Sequence, residues 1–133
     1  MDKATKEEVY RRAGGRCEYC HLPEAHVVTP FNIEHIVARQ HGGKDTLGNP
    51  CYSCLRCNLH KGPNLTGIDT KTKKITRLFN PRRHSWKNHF SYEGAVIVGK
   101  TSVGRTTVNV LAMNTLARLR LRQELIDQGL LPD

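Results

Sequence analysis

A chain of 133 residues fills one modest core and seldom two, so residues 1–133 read as a single domain. A hydrophobic share of 38% and a mean hydropathy of −0.54 leave that core lean and call for a structural metal, while the absence of any run of roughly 20 apolar residues argues against a membrane protein. The formal charge of +9 and pI of 9.6 predict attraction to polyanions, nucleic acid before a membrane surface.

Thr5 and Glu8 have the spacing of a capping box, Val9 and Ala13 share a helical face, and Gly14-Gly15 follows, which predicts a helix over residues 5–13. Cys17-Glu18-Tyr19-Cys20 forms a knuckle, and a loop over 22–30 leads into an extended segment at 31–37. Partial period-2 alternation there puts Phe31 and Ile33 on one face, Asn32 and Glu34 on the other. The loop His41-Gly42-Gly43-Lys44-Asp45 precedes a short strand running into Cys54, and a short helix beginning near Cys57 ends at Gly62-Pro63. Residues 64–74 read as a surface turn and 75–79 as a strand closed by Asn80-Pro81. A hairpin is predicted from Phe90-Ser91-Tyr92 and residues 95–99 about a Glu93-Gly94 turn. Two helices complete the chain, over 102–112 and 114–128, the second with Asn114 as N-cap and Gly129 beyond its end. Leu116, Leu119, Leu121, Leu125 and Ile126 give it an apolar stripe, with Arg118, Arg120 and Arg122 spread around the opposite side. The expected class is α+β, with a core at 1–65 and a basic hairpin and helical extension at 66–133.

Five cysteines, an odd count behind an N-terminus with no apolar leader, fit reduced thiols, metal binding and a cytoplasmic protein better than a disulfide framework. Cys17/Cys20 and Cys54/Cys57 are two Cys-x-x-Cys pairs, and four thiolates suit tetrahedral Zn²⁺. The insert between them is longer than a compact zinc ribbon needs, so it must form structure of its own. Cys51 is left over as a small buried hydrophobe.

The insert and its exit hold groups that phosphodiester hydrolysis requires: a base for water, a cation for the developing charge, and help for the leaving oxygen. Glu34 and His35 are adjacent in an extended segment and project to opposite faces, so one can grip an ion while the other faces water. Asn58 alone would be a turn or cap. Among the further histidines His60 is the second choice as a metal ligand, since two residues of helix point it away from Asn58. From residue 70 to 90 the chain carries Lys71, Lys73, Lys74, Arg77, Arg82, Arg83 and Lys87 without an acidic residue, a candidate phosphate-facing patch with Arg39, Lys44 and Lys61 beside it.

The string Cys17-x-x-Cys20, Glu34-His35-Ile36, Gly42-Gly43, Asn49, Cys54-x-x-Cys57-Asn58, Lys61-Gly62 resembles the HNH endonuclease family in its zinc-stapled version, over about residues 16–62. The resemblance implies a ββα-metal core in which His35 is the general base, Glu34 and Asn58 hold the catalytic ion, and Asn49 braces the loop that orients the histidine. A neutral amide ligand favours a hard ion, so Mg²⁺ or Mn²⁺ is expected there and Zn²⁺ only at the cysteines. Double-stranded DNA is the expected partner, with no membrane involved. Glu34→Ala is expected to leave the fold intact and remove activity. The competing expectation is a zinc-stapled module that binds DNA or RNA without cutting it.

Overall fold

The structure is a computed structural model that describes residues 1–131. Asp2 begins the first helix, because its carboxylate accepts the Thr5 amide at 2.7 Å and satisfies an otherwise free N–H. Helix α1 therefore spans Lys3–Ala13, starting two residues before the capping-box spacing implies, and Glu8 is drawn instead into an ion pair with Arg11. Gly14, in the left-handed region at φ +62°, ends it.

Strands β1 (Asn32–His35) and β2 (Pro50–Ser53) pair antiparallel, with Glu34 opposite Cys51 and His35 opposite Pro50. Helix α2 (Leu55–Lys61) follows directly, starting two residues earlier than the sequence suggests because the Cys54 sulfur accepts the Cys57 amide at 3.5 Å and acts as its cap. β1 is shorter than the predicted 31–37: the Ile36 amide still donates to the Asn49 carbonyl at 3.0 Å in the register of the ladder, but the Asn49 amide turns away to the Thr46 carbonyl at 2.9 Å and the pairing ends. Alternation gives β1 two faces without saying which one the core takes, and the structure buries the carboxylate. Glu34 is buried, and Ile33 lies half-buried on the same side as His35.

Residues 64–74 are more than a turn. β3 (Thr66–Ile68) pairs with β4 (Ile75–Arg77) in a hairpin whose bend is organised by Asp69, which accepts from the Lys71 amide at 3.2 Å and the Thr72 hydroxyl at 2.9 Å. Ile68 and Ile75 face each other across it, 49% and 76% exposed. The later hairpin forms as predicted, with β5 at Phe90–Glu93 and β6 at Val96–Gly99, preceded by the short helix α3 (Trp86–His89).

Helix α4 (Ser102–Val110), capped by the Thr101 hydroxyl, presses on β6 through glycine at both positions of closest approach. A Cβ on Gly104 would lie 2.1 Å from the His89 carbonyl oxygen, and one on Gly99 2.3 Å from the Arg105 amide nitrogen. Arg105 of α4 grips the buried Asp69 through two hydrogen bonds, at 3.0 and 2.9 Å, tying the β3–β4 hairpin down.

Helix α5 (Leu116–Asp127) departs most from expectation. Its N-cap position is Thr115. Asn114 instead brackets Ile97 of β6, accepting from its amide at 3.0 Å and donating to its carbonyl at 2.8 Å. Arg118 and Arg122, expected on the solvent side, are buried at 7% and 2% exposure, whereas Leu116 of the expected stripe is 61% exposed. The core joins both halves of the chain, with Tyr19, Phe31 and the cysteines packed in one cluster with Phe79, Phe90, Ile97, Leu111 and Met113. Among the described residues no helix is long and apolar enough to cross a membrane.

Candidate metal centre and catalytic cleft

Cys17 and Cys20 lie just past α1, and Cys54 and Cys57 at the start of α2. These elements bring the four sulfurs within 4.8 Å of one another, all buried, with Cys20 and Cys54 at 3.7 Å. A Zn–S bond of about 2.3 Å places sulfurs about 3.8 Å apart in a tetrahedron, a spacing that Cys20 and Cys54 already have, so the group suits one such ion. The Cys20 amide lies 3.5 Å from the Cys17 sulfur, as the Cys57 amide does from Cys54, the knuckle geometry that lets each pair chelate from one turn. Cys51 stays outside the cluster as expected, buried with its sulfur 3.7 Å from the Tyr19 hydroxyl, and burial pushes its thiol well up.

The segment around His35 is held on several sides. Asn49 accepts from the Val37 amide at 2.8 Å and donates to the Val37 and Lys44 carbonyls at 3.0 and 2.9 Å, which binds the strand exit to the glycine loop. Lys61, from the end of α2, donates to the Ile36 carbonyl at 2.9 Å. Gly43 runs so close to this backbone that a Cβ there would lie 1.6 Å from the Val37 carbonyl oxygen.

Against this frame the His35 ring places Nε2 2.6 Å from the Asp45 carboxylate, which also receives Arg39 at 3.0 Å. The His35 hydrogen bond first, and then Arg39, hold Asp45 down at about 2, so it is an anion throughout the neutral range. Nothing in the sequence singled out Asp45. A carboxylate ten residues past an imidazole, in a glycine loop, carries no periodic signal, and only the fold brings the two together.

Glu34 sits on the other side of β1. Its Oε1 lies 3.2 Å from the Lys61 ammonium, with both side chains almost wholly enclosed, and its Oε2 is 3.9 Å from the Cys51 sulfur. Burial outweighs the nearby ammonium and raises the carboxyl to about 7. An open cleft of about 530 Å³ is lined by Glu34, His35, Arg39 and Asn58 together with Ile33 and Pro63, so the residues expected at the catalytic ion border one space. Oε1 of Glu34 meets the Lys61 ammonium as an ion pair but without hydrogen-bond geometry. Adding Asn58 gives a hard oxygen donor set of two side chains, which fits an ion that retains water and substrate oxygens as ligands. His60, the second choice, is exposed on α2 and joins no cluster of potential ligands among the described residues.

Of the cations expected to face phosphate, Arg39, Lys73, Lys74, Arg77, Arg83 and Lys87 are exposed. Two are not available. Lys61 is 1% exposed because it pairs with Glu34, and Arg82 is occupied by an ion pair with Glu18 in which both side chains are largely enclosed. Trp86 packs under the second hairpin, donating to the Tyr19 carbonyl at 2.8 Å and stacking on His21 at 4.1 Å between ring centres.

No curated protein and no solved structure matches the chain. Residues 17–64 match the family model for HNH endonuclease, so the likeness carried by the motifs is shown for the segment that contains the four cysteines, β1, β2 and α2.

Proposed function

We propose that the protein is a metal-dependent endonuclease that hydrolyses phosphodiester bonds of double-stranded DNA, with His35 as the general base. The observation that carries this reading is the His35–Asp45 pair at the edge of the cleft that Glu34 and Asn58 also line. A carboxylate on Nε2 selects the tautomer with its proton there, which leaves the Nδ1 lone pair to take a proton from water. Nδ1 makes no hydrogen bond to the described residues, so it is free for that task. Asn49, Lys61 and Gly43 hold the backbone on which the ring is carried, so orientation is set before substrate arrives.

Glu34 and Asn58 would hold Mg²⁺ or Mn²⁺, whose preference for hard oxygen donors suits this pair. When bound, such an ion neutralises charge gathering on the phosphoryl oxygens. Arg39 at the rim, and Lys73, Lys74, Arg77, Arg83 and Lys87 on the extension, are the cations open to backbone phosphates. Zn²⁺ at the cysteines keeps the scaffold closed, and the free thiols go with a reducing, cytoplasmic setting.

Incubating supercoiled plasmid with the protein and Mg²⁺ or Mn²⁺ tests the reading. Wild type is expected to nick or linearise the DNA, and His35→Ala to slow turnover by roughly 10²- to 10⁴-fold while binding is kept. If wild type binds DNA but cuts it with neither ion, the second reading takes its place: a zinc-stapled module that binds nucleic acid without cutting. The Glu34–Lys61 pair, which withdraws a candidate ligand into the interior, is the observation that favours that alternative.

A further inference from the structure

Arg118 and Arg122 are enclosed on α5, one turn apart, and neither lies within salt-bridge distance of a carboxylate among the described residues. A guanidinium taken out of water is costly unless an anion or a full set of acceptors meets it. For Arg118 that anion is on the page. Its Nη2 donates to the Cys57 sulfur at 3.0 Å and lies 4.0 Å from the Cys54 sulfur, while Nη1 donates to the carbonyls of Leu111 at 2.7 Å and Ala112 at 3.3 Å. Arg122 spends its donors on oxygens instead, at 2.6 Å to Ala95, 2.6 Å to Met113 and 2.8 Å to the Asn114 side chain.

We infer that Arg118 is an outer-sphere partner of the cysteine cluster, neutralising thiolate charge through direct N–H···S bonds, so that the extension completes a metal site whose ligands all come from the core. A divalent ion held by four thiolates carries a double negative charge in a dry interior. One cation bonded to a sulfur and a second one turn along the same helix offset it. The planar fork explains the choice of arginine over lysine, since one group must reach two sulfurs and two carbonyls at once. The burial of Arg118 on the face of α5 that also buries Leu125 follows from the same requirement. The site thus holds its ion from both sides, with bonds from α2 and the knuckle and charge from α5.

Competition of the zinc-loaded full-length protein against a chromogenic chelator tests this directly. Arg118→Met is expected to weaken zinc binding by roughly 10- to 100-fold, the usual cost of losing an outer-sphere partner, and Arg118→Lys by less. Leu125→Ala, which removes core packing from the same helix without touching a sulfur, is expected to leave zinc affinity within about threefold of wild type. Equal affinity in Arg118→Met and wild type, or equal losses in Arg118→Met and Leu125→Ala, would overturn the inference. Should Arg118→Met fail to fold, the unmodified protein loaded with ¹¹³Cd decides. Slowly exchanging Arg118 guanidinium protons with a scalar coupling to the metal are expected, and guanidinium protons without that coupling would refute it.

Discussion

Glu34 shows how one side chain can carry a stability term of unexpected sign. Because burial raises its carboxyl from 4.5 to about 7, the folded state prefers the protonated form. The stabilisation this gives is complete below the unfolded value of 4.5 and is lost as pH rises through about 7. A shift of that size corresponds to something on the order of 3 kcal/mol. In protein free of added divalent ion, thermal melts from pH 5 to 8 should therefore show wild type losing stability relative to Glu34→Gln, which keeps the neutral shape. Mg²⁺ at pH 8 should recover the difference if it seats on the carboxylate. Glu34→Ala is a different case. The sequence suggests a harmless change, but it removes the side-chain oxygen beside the buried Lys61 ammonium, which Gln retains, and leaves a gap in its place, a loss of about 3–5 kcal/mol. The adjacent pair Glu34-His35 stood out in the sequence as a carboxylate and an imidazole on opposite faces of one extended segment. That the carboxylate faces inward was not legible, because alternation reports that two faces exist and not which of them the core takes.

At the scale of elements, glycines mark where backbones meet, and the close contact of the loop over 42–45 with the exit of β1 is the one nearest the proposed base, His35. Gly43→Ala must displace the Val37 carbonyl, and overpacking of this kind costs about 1–3 kcal/mol. Because Asn49 ties the same carbonyl and amide to the loop, the displacement is transmitted to His35. Cleavage by Gly43→Ala should fall by more than its stability loss explains, measured as kcat under conditions where both proteins are fully folded. Gly104→Ala, which collides with the His89 carbonyl far from the cleft, should show the reverse, a lower Tm with turnover per folded molecule retained. Element types were readable where local signals agreed, as in α1, α2, α4 and the β5–β6 hairpin. Boundaries slipped where a cap came from an unforeseen residue, Asp2 for α1 and the Cys54 sulfur for α2. The β3–β4 hairpin was half legible: 75–79 read as a strand, but β3 and the pairing did not show, because these strands are three residues each and exposed, so no alternation could build up, and the bend depends on Asp69 meeting Arg105 from thirty-odd residues away.

For the whole molecule, the cysteine cluster is shared property of both halves of the chain. Its four cysteines precede residue 58, yet Arg118, the Trp86 bond to the Tyr19 carbonyl and the Tyr92 bond to the Cys20 carbonyl all reach it from the extension. The sequence suggests that losing zinc unfolds the N-terminal half. The contacts imply that the extension goes with it, so a strong chelator or Cys54→Ser should abolish a single calorimetric transition instead of leaving a residual one from residues 66–127. A surviving second transition would contradict that coupling. That the four cysteines form one cluster was legible from their spacing, but the arginine behind them was hidden, since charge on a helix is read as solvent-facing until an anion in the interior is known.

The hairpin of β3 and β4 carries one more implication. Its outward isoleucine pair and short unpaired rims are the kind of edge on which copies of a chain stack, and the lysines at 71, 73 and 74 crowd the same tip. Their mutual repulsion acts as a colloidal guard that ions can screen. Concentrated solutions should therefore stay monodisperse at low ionic strength and associate as salt is raised, with Ile75→Thr removing the tendency in light scattering.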